Sequence, residues 1–146
     1  MTLALAAKEV AAKLETKFPG SIAESNNNDI VVKSQSLFGL ASFLKTAPGL
    51  EFNYLAAITA VDYYNYFELV YQLTSLKHNH SLVLKTRCYD RENAVVPSLV
   101  KLWRGADYQE REIYDLLGIS FTGHPNLKRI FLWSGFEGHP LRKDYL

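Results

Sequence analysis

Apolar residues recur at helical spacing at the start of the chain, at Leu3, Ala7, Val10, Leu14 and Phe18, with Lys8, Glu9, Lys13 and Glu15 mostly elsewhere on the wheel. Pro19-Gly20 stops the run, so an amphipathic first helix is predicted. Ser21–Ala23 and Ile30–Lys33 flank a polar stretch of Asn and Asp that tolerates left-handed backbone, which predicts a short hairpin. Ser36 is a candidate cap for a second helix carrying Leu37, Leu40, Ala41 and Leu44, ended by Ala47-Pro48-Gly49. Three strand-like runs follow. Phe52–Tyr63 is nearly all apolar and predicts a strand buried on both faces or mostly so. Tyr66–Thr74 places Phe67, Leu69, Tyr71 and Leu73 on one face, and Ser81–Tyr89 does the same with Leu82, Leu84, Thr86 and Cys88. Short connections between them imply an antiparallel meander.

Pro97 suits the first turn of a helix reaching Trp103, and Gly105 separates it from the next. Asp107 with Glu110 forms a candidate capping pair for a helix running to Leu117, with Gly118 as its C-terminal cap. The sum is an α+β domain over residues 1–118, a largely antiparallel sheet with helices packed on one face. Beyond Gly118 the periodicity fades. Residues 119–146 are rich in Gly, His, Pro and basic side chains, yet they carry Phe121, Leu127, Ile130, Phe131, Leu132, Trp133, Phe136, Leu141 and Tyr145. That is too apolar for a solvated linker, so this extended arm lies against a surface, its own domain's or a partner's.

Composition narrows the chemistry. Sixteen Lys+Arg against fifteen Asp+Glu leave a formal charge of +1 in 146 residues, so no global field favours nucleic acid or an anionic membrane. A single cysteine, Cys88, excludes an intramolecular disulfide and any all-cysteine zinc or iron–sulfur site built by this chain alone. The first residues mix charge with apolar side chains, unlike a secretory leader, and no run approaches the ~20 apolar residues of a bilayer span. A soluble protein, or one peripheral on a membrane-bound partner, is expected.

Glu110, Arg111, Glu112 and Asp115 sit on one predicted helix, with Tyr108, Arg111, Glu112 and Asp115 sharing a face. A carboxylate pair for acid/base or metal chemistry is one reading. The helix lacks the Glu-x-x-His of a di-iron bundle, which favours a salt-bridged structural or interface helix with Arg111 and Asp115 paired at i,i+4. His124 and His139 each stand in Gly-His-Pro and are candidate ligands or proton carriers; bonding a backbone group to fix a turn is the simpler role. His78-Asn79-His80 falls in a hairpin loop, and Cys88 reads as a packed thiol. Lys128-Arg129 and Arg142-Lys143 form two small basic clusters, suited to an acidic partner surface more than to phosphate or RNA. No phosphate loop or nucleophile elbow occurs.

Glu110-Arg111-Glu112 with Asp115, Gly118, His124-Pro125, Leu127-Lys128-Arg129-Ile130 and Pro140-Leu141-Arg142-Lys143-Asp144-Tyr145 resembles the signature of the C subunit of respiratory complex I, a family that includes the plastid and cyanobacterial J subunit and related membrane-bound hydrogenase subunits. The resemblance extends upstream through Val96–Trp103 and Tyr54–Asp62 and covers roughly residues 35–146. It implies a non-catalytic peripheral-arm subunit of NADH:quinone oxidoreductase, with no cofactor in this chain and with iron–sulfur clusters and quinone elsewhere in the complex. The implied partners are the hydrogenase-like D subunit and the iron–sulfur B subunit, with the quinone-reducing module braced for electron transfer coupled to proton translocation. No nucleic acid is implied, and membrane contact comes only through the complex, on the cytoplasmic side in a bacterium or the matrix or stromal side in an organelle. An equivalent subunit of a membrane-bound hydrogenase or formate hydrogenlyase is the alternative; a stand-alone acid/base enzyme is the distant one. The partner-binding residues expected are Glu110, Arg111, Glu112, Asp115, His124, Lys128, Arg129, His139, Arg142, Lys143, Asp144 and Tyr145. Trp133-Ser134-Gly135-Phe136 stands where many members have a Pro-Glu pair, and many continue beyond the Lys-Asp-Tyr motif that precedes Leu146.

Overall fold

In this computed structural model the described residues are 3–4 (backbone only), 6–133 and 135–145; Met1, Thr2, Leu5, Ser134 and Leu146 lie outside them. The elements run β1 (Leu3–Ala4), α1 (Ala7–Lys17), β2 (Ile22–Ser25), β3 (Asp29–Val32), a 3-10 turn (Ser34–Ser36), α2 (Leu37–Thr46), β4 (Tyr54–Asp62), β5 (Phe67–Ser75), β6 (His80–Cys88), β7 (Val95–Pro97), α3 (Ala106–Leu117) and β8 (Ser120–Thr122). The main sheet has the order β2-β3-β6-β5-β4, with β1 also paired to β6. It is mixed and mostly antiparallel: β2–β3, β4–β5 and β5–β6 are antiparallel, whereas β3 and β1 run parallel to β6.

Alternation along β5 and β6 dictates where the core sits. Phe67, Leu69, Tyr71 and Leu73 on β5, with Leu82, Leu84, Thr86 and Cys88 on β6, are buried against Val10 and Leu14 of α1 and Leu37, Leu40 and Leu44 of α2. Each such Leu or Phe is worth roughly 1.5–3 kcal/mol of transfer free energy. The opposite face carries a row of charges. Lys85 Nζ lies 3.1 Å from Asp29 and 3.4 Å from Glu68, and Arg87 lies 2.9 Å from Glu68 and 3.1 Å from Glu24. These cross-strand pairs fix register on the side that apolar packing does not reach.

Several local expectations change. Leu3 belongs to β1 and not to the first helix: β3 pairs β6 only from Val83 to Thr86, and β1 takes up the neighbouring backbone at His80 and Ser81. Ser36 makes no side-chain cap, because the preceding 3-10 turn leaves it in helical backbone (φ −100°, ψ −4°) and not in the extended conformation a capping oxygen needs. β4 is not buried on both faces. It is the edge of the sheet, and Tyr54 and Val61 are exposed on it.

The segment 97–103 is not a helix either. Pro97 ends β7, which pairs in parallel with β8, from Val95 opposite Ser120 to Pro97 opposite Thr122. The next two residues give their donors to the side chain of Glu110: Ser98 Oγ to Oε1 at 2.6 Å and the Leu99 N–H to Oε2 at 2.9 Å. A buried carboxylate thus organises this turn, and Glu110 is not the reciprocal partner of a capping pair. α3 starts at Gly105 without a side-chain cap and ends as expected at Gly118, φ +78°, whose N–H reaches the Tyr114 carbonyl.

Candidate functional site

α3 is the post to which the arm is tied. Asp115 is completely buried and points at the arm rather than along the helix toward Arg111. Its Oδ1 accepts from Arg129 Nη1 at 2.7 Å, and its Oδ2 accepts the N–H groups of Ile130 (3.2 Å), Phe131 (2.8 Å) and Leu132 (3.1 Å). The expected Arg111–Asp115 pair is replaced by Asp115–Arg129, although Tyr108, Arg111, Glu112 and Asp115 do share one face of α3, on which Arg111 lies over the Tyr108 ring. The physical reason is demand: three successive arm amides need an acceptor, and a buried carboxylate is the strongest available. Burial alone would raise the Asp115 carboxyl, but Arg129 and the three amides outweigh it and hold it below the usual carboxylate range. Glu110 shows the opposite balance. Burial pushes it up, and the Ser98 hydroxyl, the Leu99 amide and His124 offset this only in part.

The last turn of α3 holds the second half of the arm. His139 Nδ1 donates to the Asp115 carbonyl at 2.9 Å, the Leu141 N–H donates to the Leu116 carbonyl at 2.9 Å, and Arg129 Nη2 reaches the Gly138 carbonyl at 2.8 Å. The His139 ring lies so close to Gly118 that a Cβ there would stand 2.6 Å from its Cδ2. His124 bonds backbone as well: the Asn126 N–H donates to Nδ1 at 3.0 Å, which leaves the proton on Nε2, 3.0 Å from Asp107 Oδ1. Arg111 donates to the Lys128 and Arg129 carbonyls at 3.3 and 3.5 Å and lies over the Tyr108 ring.

A second anchor joins the arm to the end of β4. Asp62 Oδ1 and Oδ2 accept a two-pronged bond from Arg91 at 2.6 and 2.9 Å, and the Lys143 N–H reaches Oδ2 at 2.8 Å. The Arg91 guanidinium holds the Asp62 carboxyl far below the usual range, with the Lys143 and Tyr64 amides adding to it. Arg91 also reaches Asp144 at 3.2 Å, Arg142 Nε lies 3.1 Å from the same carboxylate, and Arg142 Nη2 donates to the Arg91 carbonyl at 2.7 Å. Both guanidiniums lie over the ring of buried Phe67, at 4.6 and 5.1 Å. Asp62 and Arg91 are not among the expected site residues. A sequence signal for Asp62 exists all the same: a lone carboxylate closing an otherwise apolar strand needs a partner.

Of the expected residues, the structure therefore places Glu110, Arg111, Asp115, His124, Arg129, His139, Arg142 and Asp144 in side-chain bonds within the chain, whereas the side chains of Glu112, Lys128, Lys143 and Tyr145 are exposed. With the arm's backbone held, four of its large apolar side chains turn outward, Trp133 being 69% exposed, Phe131 63%, Leu141 60% and Tyr145 42%, whereas Leu127, Ile130, Leu132 and Phe136 stay half-buried. Cys88 is buried, with its thiol pushed up to about 11, and is unreactive by that measure. His78 engages Glu51 and His80 the Leu50 carbonyl, both at 3.0 Å. Among the described residues no cluster of three His, Cys, Asp or Glu is placed to hold a metal ion, and no helix is long and apolar enough to cross a membrane.

Comparison with known proteins finds relatives over most of the chain. Residues 30–146 match the family described as respiratory-chain NADH dehydrogenase, 30 Kd subunit. The chain is similar to the C subunit of NADH-quinone oxidoreductase from Roseiflexus castenholzii, 40% identical over 97% of this chain and 85% of that protein. It is similar also to the mitochondrial NADH-ubiquinone oxidoreductase 30.4 kDa subunit of Neurospora crassa, 44% identical over 80% of this chain and 41% of the longer protein. A chain in the structure of the membrane-bound sulfane sulfur reductase, an archaeal respiratory membrane complex, shares the fold with a TM-score of 0.77 at 23% identity, over 94% of this chain and 84% of that one.

Proposed function

Because the chain belongs to the family of the 30 kDa subunit (the C subunit) of respiratory-chain NADH dehydrogenase, we propose that it is a docking subunit of the complex's peripheral arm, without a catalytic site or cofactor of its own. Its relatives are subunits of NADH-quinone oxidoreductase, so the activity belongs to the assembly. In this reading the chain docks on the hydrogenase-like D subunit beside the iron–sulfur B subunit, on the cytoplasmic side of a bacterial membrane, and braces the quinone-reducing module while electrons pass. The iron–sulfur clusters and the quinone sit in the other subunits.

The observation that carries the proposal is the division of labour in the arm beyond β8, whose Phe121 still belongs to the core. Its backbone is satisfied by its own domain, through Asp115 and Asp62, while Phe131, Trp133, Leu141 and Tyr145 face outward. Large apolar side chains exposed on an ordered backbone mark an interface, and pre-ordering of the arm lowers the entropic cost of docking. Glu112, Lys128, Lys143 and Tyr145 then contact the partner directly, with Arg111 and Asp144 at the rim. Asp115, His124, Arg129, His139 and Arg142 act by holding the arm in shape, and Glu110 by holding the 98–99 turn beside it. The test is purification of the chain from its native membrane in mild detergent, with co-purifying proteins identified by mass spectrometry. Recovery with a hydrogenase-like large subunit and an iron–sulfur subunit is expected, and loss of both in Phe131→Ser/Trp133→Ser. Recovery as a lone protein, or unchanged assembly of that variant, overturns the proposal.

A further inference from the structure

Between β4 and α3 lies a crevice of about 170 Å³, lined among others by Ile58, Ala60, Glu112, Ile113, Leu116 and Leu141. Small-molecule sites usually enclose ~300–1,000 Å³, so this one suits a single side chain rather than a cofactor. Its floor is apolar, and Glu112 stands at its mouth. That carboxylate is exposed, and among the described residues it has no hydrogen bond or ion pair, whereas Asp62, Asp107, Asp115 and Asp144 all face a cation or a histidine.

The wall opposite is open backbone. β4 is a sheet edge, and in an antiparallel ladder alternate residues direct N–H and C=O away from the neighbouring strand. Tyr63 bonds inward to the Tyr66 carbonyl, and the Ile58 N–H points outward to Gln109 Oε1 at 2.6 Å. Two residues on from Ile58, Ala60 presents its backbone on the same outward side. Gln109 covers the edge at Ile58, and the arm crosses it beyond, where Leu141 bonds Leu116 and Lys143 bonds Asp62. The gap left between them is the crevice. Leu141, one of the exposed arm residues, forms part of its rim, so the crevice is continuous with the proposed docking surface.

Resting on the docking role proposed above, we infer that this crevice receives one apolar side chain from a segment of a partner protein, with a lysine or arginine next to it that pairs with Glu112. The segment's backbone bonds Ala60 at the open edge, as in strand addition. The apolar residue contributes affinity and the ion pair contributes partner choice, which accounts for a lone carboxylate at an apolar mouth.

A photo-crosslinking benzoylphenylalanine at Thr59, on the crevice wall, and a second at Trp133, in the full chain in its native membrane, test the inference. The Thr59 probe is expected to label a different protein, at a peptide with an aliphatic or aromatic residue adjacent to Lys or Arg. Glu112→Lys is expected to lower co-purification of that protein about tenfold, the loss typical of one misplaced interfacial charge, and Glu112→Gln less. Circular dichroism of both variants checks the fold. Labelling from Trp133 alone, Thr59 labelling only of lipid or a second copy of this chain, or unchanged co-purification in Glu112→Lys overturns this inference and leaves the docking role standing. Failure of both probes to label another protein overturns both.

Discussion

In the sheet-and-helix region Leu40 and Leu84 are enclosed by other apolar side chains, whereas in the arm Trp133 and Phe131 stand in solvent and the enclosed groups are backbone amides on Asp115. The two regions invert the usual assignment of apolar and polar groups. In the first, burial of apolar area sets the fold, and its polar bonds follow from strand pairing. In the second, a few charged side chains set the path of the chain and hold apolar ones outward. A region held by area loses stability in proportion to what is removed, while one held by a buried acceptor fails at a single atom group.

The largest expected effect tests the first half of that contrast. Leu84→Ala on β6, the central strand, should cost about 2–5 kcal/mol of global stability, read as a lowered urea midpoint at unchanged slope, with sheet and arm lost together. A local effect confined to β6 would contradict a single cooperative core. Asp115→Ala should come next, at roughly 3 kcal/mol but confined to the arm, since it leaves Arg129 and three amides unpaired. Amide exchange at Ile130–Leu132 should become fast while β5 and β6 stay protected. Exchange rising equally in both would show that the arm is no separate unit.

Acid should separate the regions without mutation. Asp62 and Asp115 have folded-state carboxyls held below their ordinary values, so their contribution is present above the unfolded carboxylate pKa and lost as pH falls through the lower folded one. Glu110 is raised, so its effect runs the other way: it favours folding below its unfolded value and weakens it as pH rises through the folded one. Below about pH 4 the arm's ties should loosen while the Glu110 turn holds, giving faster exchange at Ile130–Leu132 and at Lys143 before β6 opens. Simultaneous loss of all protection would refute the separation.

How much of this was legible follows the same division. Alternation in Phe67–Leu73 and Leu82–Cys88 marks the meander and its buried face, because a half-buried strand writes its orientation into every second residue. The Gly118 stop and the arm's lack of periodicity are legible for the same reason. What escapes the sequence is everything decided by long-range polar partners. Glu110 reads as a capping residue from Asp107, and Asp115 as a partner of Arg111, because spacing along one helix cannot register Ser98 or the amides of 130–132. The role of Asp62 is hidden in the same way, since its partners, Arg91 and Lys143, lie far along the chain. The signature residues are visible as a set, but which of them face outward depends on these anchors.

The smallest expected change in stability sharpens the contrast most. Trp133→Ala removes a side chain that is largely in solvent, so it should shift the urea midpoint by no more than about 0.5 kcal/mol of unfolding free energy. Exchange at Ile130–Leu132 should stay slow, because Asp115 and its donors are untouched. If the arm is pre-ordered by polar anchors to present aromatics, the same substitution should sharply reduce recovery of the chain in its membrane assembly, since a central aromatic anchor carries much of an interface's energy. A variant as stable as the parent but unable to assemble separates holding the arm from using it. A Trp133→Ala chain that loses arm protection instead would mean that the indole contributes to the arm's own order, and the inversion between the two regions would not hold.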